Sequence, residues 1–171
     1  MTMQCKSCTT DDDFAKVSLF VLDNKHDLHP SFCTMDMVEA LYTHVTQGHL
    51  VFIENADKRV IGASAYYHGT PERDFQDKDI AFLDMAIADP AYRGTRLFLT
   101  GLQYMVNEIA QEHPEVQEIR LAALADNAYL CRLYSKFTET SYSREGAALE
   151  QLVFCVKINK LQGILNKYGK V

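Results

Sequence analysis

Glycine and proline are scarce, eight and four residues of 171. A chain so poor in both is not collagen-like, low-complexity or disordered, and 47% hydrophobic against 23% charged residues supplies the makings of a folded core. Apolar runs are short as well. None approaches the ~20 residues of a membrane-spanning helix, and the polar start MTMQCKSCTTDDD has no signal-peptide core, so a soluble cytoplasmic protein with no membrane partner is expected. Positive charge is thin: 17 Lys and Arg against 23 Asp and Glu give a net charge of −6, and no basic run exceeds two residues. Backbone binding of nucleic acid needs clustered cations, so that class of partner is not expected; a cationic amine suits the field better. The five cysteines are odd in number and scattered, as reduced thiols would be. Cys5 and Cys8 have half-site spacing but no second Cys/His pair to complete it, His26 and His29 sit in a polar loop, and no other His pair has ligand spacing. No metal is expected.

At this length one domain is expected, spanning 1–171, with 158–171 as a C-terminal helical extension. MQCKSC reads as a short first strand. Thr10 reads as a helix N-cap followed by Asp11, Asp12 and Asp13, where the helix dipole favours negative charge, and the helix runs to Asp23. A loop containing Pro30 precedes a second amphipathic helix from Met35 to Thr46, closed by Gly48. Three strands follow in HLVFIEN, RVIGASAYYHG and DIAFLDMAIAD; the last is apolar almost throughout, as a central strand covered on both faces would be. From Gly94 to His113 apolar residues recur at steps of three and four, predicting one long helix stopped by Pro114. EIRLAALA then predicts a strand, NAYLCRLYSKF a short helix and ALEQLVFCVKI a late strand, with room for one further strand between the last two. This order implies an α/β (α+β) sandwich around a single sheet.

Chemistry concentrates in two stretches. ADPAYRGTRLF breaks a strand at Pro90 and opens a helix near Gly94, a layout whose free N–H groups and dipole attract phosphate, with Arg93 and Arg96 adding charge. In DNAYLCRLYSKF, Asn127 and Tyr134 stand two helical turns apart on one face, and Leu130, Leu133 and Phe137 form an adjoining apolar side. That places Tyr134 at a boundary between core and cleft; the plainer reading is a capping Asn and a core Tyr.

Together and in this order, the stretches resemble the GNAT superfamily of N-acetyltransferases. MAIADPAYRG matches the family's approach to its phosphate loop, and NAYLCRLY its N-x-x-A-x-x-L-Y pattern, with Leu130 in place of Ala. The family's Q/R-x-x-G-x-G/A loop is degenerate here: Arg96 and Phe98 occupy the two glycine positions, and Thr138 and Glu139 replace a Gly-Phe pair. The resemblance implies a mostly antiparallel sheet splayed around the strand that binds acetyl-CoA. It implies that the backbone of Met85, Ala86 and Ile87 holds the pantetheine arm, that Arg93, Gly94, Thr95, Arg96, Leu97 and Phe98 cradle the pyrophosphate, and that Asn127 touches the arm. Tyr134 would then protonate the leaving thiolate, with no metal involved.

Asp84 is a candidate base, facing away from Leu83, Met85 and Ile87 on its strand, and His68 and Glu54 are weaker ones. The expected activity is transfer of an acetyl group from acetyl-CoA to a primary amine, on a small molecule or a protein, by direct attack. The acceptor would enter between the Asn24 to Phe32 loop and the late strands, with Tyr66 and Tyr67 as walls. Two alternatives stand: a non-catalytic module binding acyl-CoA or a partner, and an enzyme that takes its acyl group from a carrier protein. A homodimer is a further expectation from the family.

Overall fold

The computed structural model describes residues 2–93, 96–146 and 149–168. Strands β1 (Gln4–Ser7), β2 (His49–Glu54), β3 (Val60–His68), β4 (Ile80–Ala88), β5 (Glu118–Leu124), β6 (Thr140–Glu145) and β7 (Glu150–Lys157) form one sheet in the order β1-β2-β3-β4-β5-β7-β6. The helices are α1 (Asp11–Asp23), α2 (Lys25–Leu28), α3 (Thr34–Gln47), α4 (Leu97–Glu112), α5 (Ala128–Ser135) and α6 (Ile158–Tyr168). None of the described helices is long and apolar enough to cross a membrane. Residue contacts group the chain into two compact units, residues 1–66 with 86–104, and residues 67–85 with 105–171.

In the first unit, α1 begins where the sequence predicts. Thr10 accepts from the Asp13 N–H while the Asp13 carboxylate accepts from the Thr10 N–H, so two donors of the first turn are satisfied reciprocally. Val17, Phe20 and Val21 form its buried stripe, and α3 packs against α1 and β2 through Met37, Leu41 and His44. β2 pairs antiparallel with β1 and β3, with an irregularity at Ile53 and Glu54. Ile53, Ile61 and Leu97 form a small core with Met3, Cys5, Ala88 and Tyr92 against it. A Cβ at Gly62 would make ordinary van der Waals contacts there, 3.6 Å from the Ile87 carbonyl oxygen and 3.5 Å from Leu97.

In the second unit, β5 pairs antiparallel with β7 along its whole length, and β6 borders β7. Tyr67, Phe82, Ala122, Val153 and Cys155 pack together, with Phe75 against them. Helix α5 lies on β5 and β7, and α6 on β7. The room left for one further strand is filled by β6. The loop expected between Asn24 and Phe32 contains the single turn α2.

Candidate functional site

β4 changes character at Leu83. Up to that residue it is buried on both faces, and its parallel ladder with β5 runs from Ile80 opposite Glu118 to Leu83 opposite Leu121. Beyond it β4 alternates between half-buried Asp84, Ala86 and Ala88 and buried Met85 and Ile87.

Asp84 and Arg144 both act electrostatically on Tyr67. Burial, followed by the Asp84 charge, pushes the Tyr67 phenol well above its ordinary value, with Arg144 opposing. Arg144 lies 5.0 Å above the Phe82 ring and bridges to Glu72 at 2.6 Å. Tyr67 is 4% exposed and packs at 5.0 Å on Phe75, and Tyr66 is 2% exposed and stacks on His49. Both tyrosines are therefore core residues rather than the cleft walls expected.

Asn127 caps α5, its Oδ1 accepting from the Leu130 N–H at 3.1 Å. The cap occupies the oxygen and leaves the amide NH2 as the donor available to a ligand. Tyr134 projects from the same side of α5 but has no exposed surface; its ring meets Phe154 of β7 edge-on at 5.9 Å. It lies wholly inside, not at the boundary the sequence suggests, because β7 closes over the face of α5 that carries it. Burial, then the nearby Cys131, raises its phenol well above the usual range, so it keeps its proton at neutral pH.

The start of α4 belongs to the first unit. The Asp89 carboxylate accepts from the Ala91 N–H at 2.9 Å and pairs with Arg59, which fixes the turn through Pro90. Arg93 is extended and bridges to Asp27 at 3.3 Å, so part of its charge is already balanced. Gly94 and Thr95 lie outside the described residues. Arg96 is exposed, and its carbonyl accepts from the Thr100 N–H. Leu97 turns its side chain into the core at 2% exposure, and Phe98 is half-buried.

No protein-family model matches the chain, and no curated protein matches its sequence. Solved structures do match. A GNAT-family acetyltransferase from Staphylococcus aureus Mu50 superimposes with a TM-score of 0.71 at 11% identity, covering 92% of this chain and 99% of that one. A protein from Bacillus halodurans reaches 0.73 at 12% identity over 97% and 89%. Spermidine N-acetyltransferase from Vibrio cholerae, in complex with CoA and spermine, reaches 0.62 at 14% identity over 93% and 97%. The chain has the GNAT fold.

The single mixed sheet flanked by helices is the one expected from sequence. The candidate bases fare differently. Glu54 has no exposed surface and is bridged by Lys6 at 2.7 Å and Lys16 at 2.8 Å. The Lys16 hydrogen bond, then that of Lys6, holds its carboxyl below the ordinary value, so both oxygens are engaged in structure and it is unsuited to accept a substrate proton. His68 is engaged by Glu115 and lies in ring contact with His113, a grouping that spacing along the chain does not signal. Asp84 is half-buried and follows Leu83, where the register of β4 with β5 ends.

Proposed function

We propose that this chain is an acyltransferase that moves an acetyl group from acetyl-CoA to a primary amine. The observation that carries the reading is the ladder end at Leu83 and Leu121, in a GNAT fold, with Asp84 on β4 just past it. The backbone of Met85, Ala86 and Ile87 would hold the pantetheine arm by strand-like hydrogen bonds, and the Asn127 amide NH2 would reach it from the start of α5. The α4 end, from Arg93 through Gly94, Thr95, Arg96, Leu97 and Phe98, would hold the pyrophosphate, chiefly through the helix dipole and the exposed Arg96.

The bound thioester supplies an activated acetyl group. Asp84, directly or through water, takes a proton from the acceptor amine; its nitrogen forms the new C–N bond as the C–S bond breaks, and Tyr134 gives its proton to the departing sulfur. No covalent enzyme intermediate is required. The net charge of −6 favours a cationic acceptor, and a relative in fold is itself a spermidine N-acetyltransferase. The same reading takes the protein as cytoplasmic and as a candidate homodimer, which light scattering checks.

A second reading, a non-catalytic acyl-CoA-binding or partner-binding module, draws on Arg96 and Phe98 standing where the family has glycine and on the complete burial of Tyr134. A third, transfer from an acyl carrier protein, draws on the same loop, because phosphopantetheine lacks the nucleotide pyrophosphate. Calorimetric titration with acetyl-CoA, repeated with acetyl-pantetheine, separates them. Binding that weakens at least tenfold without the nucleotide supports the first reading, equal binding of both the third, and binding of neither refutes the acetyl-CoA assignment.

A further inference from the structure

We propose that His68, His113 and Glu115 form a binding site for a divalent transition-metal ion of the Zn2+ type. His68 is far in sequence from His113 and Glu115, yet the ligand atoms of all three lie within 4.8 Å of one another. His68 closes β3; His113 follows the last residue of α4, its N–H donating to the Ile109 carbonyl at 2.8 Å; Glu115 lies two residues further on. Pro114 between them fixes one backbone torsion, and the Val116 N–H donates to the His113 carbonyl at 3.0 Å, so this turn is held before any ion arrives.

The distances are close to those an ion would impose. Zinc bonds of about 2.0–2.2 Å to N and O, set tetrahedrally, place neighbouring ligand atoms about 3.3 Å apart. His68 Nε2 and Glu115 Oε1 are 3.0 Å apart, and the His68 and His113 ring centres are separated by 4.1 Å. The Lys78 carbonyl oxygen, 2.9 Å from the same His68 nitrogen, supplies a further oxygen beside the site. An ion pair needs one imidazole and one carboxylate. The second imidazole, in ring contact with the first, is what makes this a donor set.

Two imidazoles and a carboxylate suit Zn2+ and its borderline neighbours, not Mg2+ or Ca2+, which favour all-oxygen sites. The His68 side chain is 16% exposed and that of Glu115 49%, so an ion has a route in and a fourth position stays open to water. Bound there, it would clip the end of β3 to the turn between α4 and β5. The proposal is independent of the acyltransferase reading.

The test is calorimetric titration of the full chain with ZnCl2, alongside His113→Ala, Glu115→Ala and the pair Cys5→Ser with Cys8→Ser. One ion per chain is expected, with affinity weakened at least ~100-fold in the first two variants, beyond the loss of an outer-sphere partner, and unchanged in the third. Because a variant could misfold, a cobalt spectrum of the unsubstituted chain is recorded as well: weak visible bands without thiolate charge-transfer absorption are expected. Absence of binding, strong thiolate bands, or affinity that falls only in the cysteine variant would overturn the assignment.

Discussion

Tyr134→Phe removes one oxygen and leaves everything else that buries the side chain. The ring is fully enclosed and edge-on to Phe154 at 5.9 Å, and Phe preserves both its shape and that contact. The change in folding stability should therefore stay within about 1.5 kcal/mol, the net worth of an ordinary hydrogen bond. Tyr134→Ala would instead open a cavity and cost about 3–5 kcal/mol. If the phenol protonates the leaving thiolate, Tyr134→Phe lowers kcat by about 10^2–10^4, or about 3–5 kcal/mol of barrier, while KM for acetyl-CoA stays near that of the unsubstituted chain. The pH profile adds an independent check. Because burial raises this phenol, loss of its proton cannot produce an alkaline fall in kcat below about pH 10, the ordinary value for tyrosine. The assay is thiol release from acetyl-CoA with a saturating polyamine acceptor, between pH 6 and 10, alongside urea unfolding of each variant. A Phe variant with unchanged kcat and unchanged stability would refute the reasoning and leave Tyr134 as a core residue alone.

Asn127→Asp keeps a cap acceptor for the Leu130 N–H but loses the amide donor, so stability should stay within about 0.5 kcal/mol while KM for acetyl-CoA rises roughly tenfold; Asn127→Ala should in addition lose about 1 kcal/mol in urea titrations. Gly69→Ala should destabilise by about 2–5 kcal/mol, since Gly69 has φ +103° and a Cβ there would lie 2.7 Å from the Phe75 backbone; a loss below 1 kcal/mol by urea unfolding would contradict this. Acid should weaken the fold through carboxyls held below their ordinary values. Glu54 is so held by Lys16 and then Lys6, Asp13 by the Thr9 N–H first, Asp36 by the Cys33 N–H, and Asp77 by Thr70 despite burial that opposes the shift. Each carboxylate's contribution is complete above about pH 5 and lost as the pH falls through its folded value, so the urea midpoint should drop between pH 5 and 3; a flat midpoint would refute it.

The sequence marks α1, α3, α4 and the strands from β2 to β5 closely, because each carries its own stripe or run of apolar residues. β6 is harder to read. Thr140 to Glu145 is polar and mostly exposed, and what makes it a strand is its register with β7, which no local pattern records. α2 is a single turn in a polar loop, too short for periodicity. At the site, the backbone break at Pro90, the face shared by Asn127 and Tyr134 and the aspect of Asp84 are visible in the residues themselves. The depth of Tyr134 is not, since Phe154, some twenty residues further on, decides it. Nor is the grouping of His68, His113 and Glu115, which depends on β3 and the α4–β5 turn ending side by side.

Glu54 gives the first residues of the chain a task that their modest burial conceals. Its carboxylate is bridged by Lys6 from β1 and Lys16 from α1, and β1 borders β2 from Gln4 to Ser7. Shortening the chain past Ser7 would remove one of two cations from an enclosed negative charge and bare those N–H and C=O groups between Val51 and Glu54 that face β1. Such a row is a template for pairing with a strand of another molecule. The opening segment thus acts as a guard against aggregation, and a tag or protease cut placed inside it would show first as lost solubility rather than lost chemistry.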